Sequence, residues 1–209
     1  MEGSTMKNFL LILLIFAMIP IAGCVRSIYP LFTEKDYIWD ARLPGTWPDK
    51  SGDTWIFSKG NDKDYQLKYY QHDFSEGLFE GSSPGDTAYF VAHLGHLGKN
   101  LFLDVYPAEY SKDPDRRKMF GNVKNDFYNW HFLPLHSIMK LWFENDSLRL
   151  GLLDNSWLKK MIDDKSVRIS HERIKDQIIL TASTEELQQL VTKYADDDTA
   201  FPRSNHIDK

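Results

Sequence analysis

A chain of 209 residues that is 42% hydrophobic and 14% aromatic has enough apolar material for one domain with a sizeable core, which excludes a disordered chain. Its net charge of −5 comes from interspersed acidic and basic residues with no long Lys or Arg run, and Asp113-Pro-Asp-Arg-Arg-Lys118 is a mixed-sign loop, so nucleic acid is not an expected partner. The single cysteine, Cys24, excludes an internal disulfide and any zinc site built from several thiolates.

The first element is apolar. Phe9 to Ile19 reads FLLILLIFAMI, preceded by Lys7 and followed by Pro20, Ile21, Ala22, Gly23 and Cys24. A basic start, an apolar stretch of about 7–15 residues and small residues at a scissile bond together describe an export signal. A permanent membrane helix needs about 20 apolar residues to cross a hydrocarbon layer about 30 Å thick, and this run is short for that. Met6-Lys7-Asn8 starts a more typical signal than the acidic Met1-Glu2.

Ile21-Ala22-Gly23-Cys24 resembles the bacterial lipobox, an aliphatic residue and two small residues before a cysteine. The resemblance implies cleavage between Gly23 and Cys24, a diacylglyceryl group on the Cys24 thiol and a fatty acid such as palmitate on the new amine. Each buried methylene contributes about 0.8 kcal/mol, so two or more chains hold a protein stably where one does not. Val25, where an Asp would retain the protein at the inner membrane, implies the outer membrane. The expected organisation is a signal over 1–23, an acylated cysteine and tether over 24–40, one β-rich domain over 41–195 and a flexible tail over 196–209.

Beyond the tether, the hydrophobic period becomes two. Trp55 and Phe57 alternate with polar residues, as do Tyr65, Leu67 and Tyr69, across the turn-rich Gly60-Asn-Asp-Lys-Asp64, which predicts a β-hairpin. A second pair runs through 87–94 and 101–106, with Leu101, Leu103 and Val105 on one face. In a third, Met139, Leu141 and Phe143 share a face with Leu148, Leu150 and Leu152 across Asn145-Asp146. A last hairpin is expected at 167–173 and 177–182. Two helices interrupt the pattern. One spans 154–163, with Trp157, Leu158, Met161 and Ile162 at helical spacing, and the other follows the capping box Ser183-Thr-Glu-Glu186, with Leu187, Leu190, Val191 and Tyr194 along one side.

Eight to ten short strands in hairpins favour a mainly β fold, an antiparallel β-barrel with two short helices in its C-terminal half, because closure removes exposed edges. A two-sheet sandwich is the alternative. Gly45-Thr46-Trp47 resembles the Gly-x-Trp signature that opens the first strand of lipocalins and related calycins. The longer stretches TWIFSKGNDKDYQL, FVAHLGHLGKNLFLDVYP, HFLPLHSIMK and LTASTEELQQLV resemble an uncharacterised family of bacterial lipoproteins. That resemblance implies export and a single domain, and no activity.

Two sets of residues are candidates for a site. Trp47, Trp55, Phe57, Tyr65, Tyr69, Phe90 and Phe102 lie on expected strands and would line a barrel able to hold a small apolar ligand or lipid, or else pack its core. His93, His96, His131 and His136, with Asp104, carry the residue types of a transition-metal site. Against this, His93 and His96 lie three apart on a strand and point to opposite faces, and packing with hydrogen bonds to backbone or carboxylate is the alternative role for His93 and His136. Ser137 beside His136 lacks a Gly-x-Ser-x-Gly elbow, so no catalytic residue is assigned. No cofactor is implied. The expected function is a non-enzymatic envelope lipoprotein that binds a small apolar ligand in its barrel. The alternatives are a metal-binding protein or metal-dependent enzyme using His93 and His136, and a structural or assembly partner in the envelope.

Overall fold

The computed structural model describes residues 23–50, 52–72, 86–108, 133–145, 147–203 and 207–208. Residues 1–22 of the expected signal, the loop 113–118 and the turn residue Asp146 lie outside them. Among the described residues no helix is long and apolar enough to cross a membrane.

Twelve strands form one sheet: β1 (Arg26–Ser27), β2 (Tyr37–Ile38), β3 (Gly45–Pro48), β4 (Thr54–Lys59), β5 (Asp64–Gln71), β6 (Asp86–Leu97), β7 (Asn100–Pro107), β8 (His136–Glu144), β9 (Ser147–Leu152), β10 (His171–Ile174), β11 (Gln177–Leu180) and β12 (Ile207–Asp208). Two helices, α1 (Asn155–Asp163) and α2 (Thr184–Tyr194), follow β9 and β11. Among the described residues the fold is therefore mainly β with two helices in its second half, as the sequence pattern predicts.

The expected hairpins form where turn chemistry is local. Phe57 pairs with Leu67 and Trp55 with Tyr69 across a turn in which Asp62 takes a positive φ. Asn145 and Lys175 do the same in the β8–β9 and β10–β11 turns, and Gly98, at φ +60, in the β6–β7 turn. Asp154 caps α1 by accepting from the Trp157 N–H at 2.7 Å, and Ser183 and Glu186 close the capping box of α2. The last hairpin is shorter than expected, because 167–170 runs outside the ladder.

Pairing between distant segments departs from a simple meander. Strand β8 pairs with β7 along one edge, and its other edge forks: residues 136–137 pair with β1, and 139–144 with β9. β1 then joins β11 in parallel, so the sheet is mixed, not purely antiparallel. In the other arm β9 pairs with β12, which lies alongside β3 with Cα atoms within 8 Å but no ladder. The sheet is thus not closed among the described residues.

Two cores lie on opposite faces of this sheet. On the inner face Leu43, Trp47, Phe57, Tyr65, Leu67, Leu94, Leu103, Val105, Met139, Leu141, Leu148 and Leu150 pack together, which places the expected alternating residues of β7, β8 and β9 on one surface. On the outer face Phe102 and Ile138 pack with Val25, Leu31 and Phe32 beneath Trp157, Leu158, Leu187, Leu190 and Val191 of the helices.

The segments expected to be a tether and a flexible tail both belong to this outer core. Val25, Leu31 and Phe32 are buried, and β1 inserts between β8 and β11. Ala200 and Phe201 are fully buried, with the Phe201 ring edge-on to Phe102 at 5.4 Å. The Ala200 carbonyl accepts from the Asp154 N–H at 2.9 Å. Neither segment carries a long amphipathic pattern of its own; each supplies two or three side chains to a core built by others.

Gly95, on the outer face of β6, leaves the Phe32 ring no slack: a Cβ there would stand 2.6 Å from it. Gly95→Ala is expected to destabilise the fold by about 1–3 kcal/mol through overpacking. Gly98→Asn, in open space at a left-handed position that Asn tolerates, is expected to cost only a few tenths. Urea unfolding of the two variants checks the contrast.

Candidate functional site

The alternation of β4–β7 sorts the aromatic candidates. Trp47, Phe57 and Tyr65 are buried inside the inner core, and Trp55 and Phe90 pack partly buried against it. The Trp47 indole N–H donates to the Leu43 carbonyl at 2.9 Å, and the Tyr65 hydroxyl accepts from the Asp40 N–H at 2.6 Å, so their polar ends are satisfied at the rim. The Tyr69 hydroxyl donates to Asp53 at 2.6 Å, and its ring meets Trp55 at 4.8 Å. Burial, reinforced by the Asp53 carboxylate, pushes the Tyr69 hydroxyl pKa up. Phe102 does not join this set. It alternates with Leu101 and Leu103 and so faces the helices.

The polar candidates separate in a similar way. His93 pairs in register with Asp104 across β6 and β7, and both lie on the outer face. His136 approaches from β8, with its Nδ1 2.7 Å from Asp104 Oδ1. The carboxylate can only accept, which assigns the proton to His136 Nδ1. The other carboxylate oxygen, Oδ2, accepts from the Leu31 N–H at 2.8 Å. Asp104 is fully buried, so each bond is shielded from competing water. His96 is exposed and, three residues from His93, belongs to the opposite face. His131 lies outside the described residues.

Two tyrosines missing from the sequence-based candidates complete this cluster. Tyr37 stacks on His93 with ring centroids 3.9 Å apart and planes 4° off parallel. Tyr106 touches both imidazoles, 5.7 Å from His93 and 5.1 Å from His136. Tyr106 was legible in principle, since it stands two residues beyond Asp104 on the same strand face. Tyr37 was not, because its strand reaches β6 through a two-residue pairing beyond the end of β5.

The result is a row of rings, Tyr37, His93, Tyr106 and His136, closed by a buried carboxylate. Among the described residues no three His, Cys, Asp or Glu side chains are arranged to hold a metal ion, and Tyr106 stands in contact with both imidazoles that such a site would need. Among the described residues the serine facing His136 across the ladder offers no free nucleophile. Ser27, opposite His136 on β1, is fully buried and accepts from the Tyr29 N–H at 3.2 Å. Asp104 and His136 act as a clamp that fixes the 28–33 segment to the sheet.

Cys24, the third candidate, stands at the edge of the fold. It is half-buried and forms an isolated antiparallel bridge with Asp154. Val25 N–H donates to the Leu153 carbonyl at 3.0 Å, and Asn155 N–H donates to the Gly23 carbonyl at 3.3 Å.

No protein-family model, curated protein or solved structure matches this chain.

Removing Asp104 leaves a backbone N–H and an imidazole N–H without their acceptor. Asp104→Ala is expected to lower stability by about 2–6 kcal/mol, at about 1–3 for each buried donor left without a partner. Asp104→Asn, which keeps one acceptor oxygen, is expected to lose less. Denaturant titration separates them, and a loss under about 1 kcal/mol for the alanine variant would rule the clamp out.

The tyrosines set an alkaline limit. Burial, followed by the charge of Asp104, pushes Tyr37 up to about 12 from 10.0. Between those values the unfolded chain loses this proton while the folded chain keeps it, so the stabilisation is complete below pH 10 and is lost as pH rises through about 12. Tyr37→Phe is expected to flatten stability against pH in that window, measured by urea unfolding alongside ultraviolet titration of tyrosinate.

Proposed function

We propose that this chain is a bacterial envelope lipoprotein, anchored through Cys24, which acts by binding and not by catalysis. The observation that carries the reading is the place of Cys24. The cysteine that closes the expected lipobox lies at an edge of the sheet, where it bridges Asp154 and is followed at once by the fully buried Val25.

The local hydrogen bonding supports acylation of the amine as well as of the thiol. Cleavage after Gly23 would remove the carbonyl that accepts from the Asn155 N–H, one of the first N–H groups of α1 and therefore without a partner inside the helix. An acyl group in amide linkage to Cys24 places a carbonyl on the same nitrogen, in the same chain position. The modified terminus would restore the acceptor that processing takes away.

A barrel-like wrap is part of this proposal. Gly45-Thr46-Trp47 opens β3, Trp47 is buried on the inner face, and β12 lies alongside β3. Filling of that face by contacting side chains supports recognition through the outside of the domain over a lipid held within it. The outer side of β4–β6 carries a concavity of about 180 Å³ bordered by Ile56, Gln66, Lys68 and Tyr89. An outer-membrane address and a structural or assembly partner there fit the same reading.

Fatty-acid labelling in growing cells tests the anchor. The wild type is expected to incorporate label and to shorten by the length of the signal, and Cys24→Ala to do neither. Label retained by the Cys24→Ala variant would refute the assignment.

A further inference from the structure

Asn155 joins three parts of the chain. Its N–H donates to Gly23, its side-chain Nδ2 donates to the Asp176 carbonyl at 2.8 Å, and its Oδ1 accepts from the Ile178 N–H at 2.8 Å. Only 5% of Asn155 is exposed, so these bonds are sheltered from water. They hold the β10–β11 turn, Lys175-Asp176, against the position before Cys24, which after the proposed cleavage is that of the acyl carbonyl on its nitrogen. The Gln177 amide lies beside the same position, 3.2 Å from where a Cβ on Gly23 would stand.

The turn is unlike the rest of the surface around it. Ile174 is 55% exposed, one of four large hydrophobic residues left open among the described residues, and it is aliphatic with no polar atom to offer water. Lys175 follows it, exposed, with no ion pair among the described residues. Of the neighbouring charges, Arg173 pairs with Asp163 at 2.6 Å, and Lys159 lies 3.7 Å from the open Asp176 carboxylate. An open aliphatic side chain next to an unpaired lysine suits the headgroup boundary of a bilayer, where the one enters the acyl layer and the other meets phosphate.

We infer that the β10–β11 turn is a second membrane contact, with Ile174 inserted at the interface and Lys175 among the headgroups, and that it sets the orientation of the domain on the bilayer. The inference rests on acylation of Cys24. No linker separates that residue from the sheet, so chains leaving Cys24 bring the bilayer to the neighbouring turn. Asn155 converts one point of attachment into two.

The sole native thiol is consumed by lipid, so an introduced cysteine is the only one open to labelling. Ile174→Cys and, for reference, Lys63→Cys in the β4–β5 turn are purified from bacterial membranes. The diacylglyceryl group is verified by mass, each thiol is labelled with an environment-sensitive fluorophore, and the proteins are placed in vesicles of phosphatidylethanolamine and phosphatidylglycerol. The expected result is a blue shift at 174 and several-fold stronger quenching by lipid-borne quenchers than at 63. Acylated, vesicle-bound protein with position 174 as open to aqueous iodide as position 63 overturns the second contact and leaves the anchor standing. A mass without lipid removes the anchor, and the inference with it. Ile174→Asp gives an independent check: it is expected to remain acylated and vesicle-bound while proteolysis at the β10–β11 turn, slow in wild type, becomes several-fold faster. An unchanged rate counts against the inference.

Discussion

Along β8 the side chains alternate between two cores, and the rest of the architecture is arranged to serve both. Met139, Leu141 and Phe143 enter the inner face, while Ile138, Lys140 and Trp142 enter the outer one. Since the period of a strand is two, a slip of one residue would exchange every one of these contacts, and register here is fixed from both sides. The hydrogen-bonding edge is divided as well, between β1 and β9. That division lets one arm of the sheet curl around the inner core while the other, β1, β11 and β10, supports the helices.

Three buried polar side chains join the segments that the fork brings together. Asp104 holds the 28–33 segment and His136, Asn155 holds Gly23 and the β10–β11 turn, and Lys140 donates to the Ala195 carbonyl at 2.6 Å behind the C-terminus of α2. Burial pushes the Lys140 ammonium pKa down, partly opposed by Asp196, whose carboxylate lies 3.6 Å away. Each spans a long sequence separation, and each would be costly to leave unsatisfied in a wrong pairing. They supply the specificity that short strands of two residues, such as β1 and β2, cannot provide alone.

What could be read from the residues was whatever is local. The hairpin turns, the Asp154 cap, the Ser183 capping box and the inner face of β7, β8 and β9 all follow from spacing within a dozen residues. The outer core was hidden because β7 and β8 are buried on both faces: in Leu101-Phe-Leu-Asp-Val-Tyr106 the polar Asp104 marks the outward face, yet Phe102 on that face is also core. The parallel seat of β1, the burial of Phe201 and the meeting of Tyr37 with His93 depend on pairings that no short window contains. Of the aromatic candidates only Phe102 changed face. Among the described histidines His93 and His136 converged, and they did so around a carboxylate and a tyrosine, not a common centre.

The seat of β1 also has a consequence in time. Arg26 pairs beside Ile179 and hydrogen-bonds to Gln177, 151 residues away, so this strand has no neighbour on that side until nearly the whole chain has been made. Contacts of such separation close late, after the local hairpins have formed. For an exported chain that emerges from its N-terminus, the bond after Gly23 would stay extended and reachable until β8, well past the middle of the chain, offered β1 its first partner, and β11 would close the other edge later still. If the chain is cleaved there as proposed, processing would precede folding without any further device, because both partners of β1 are made long after it.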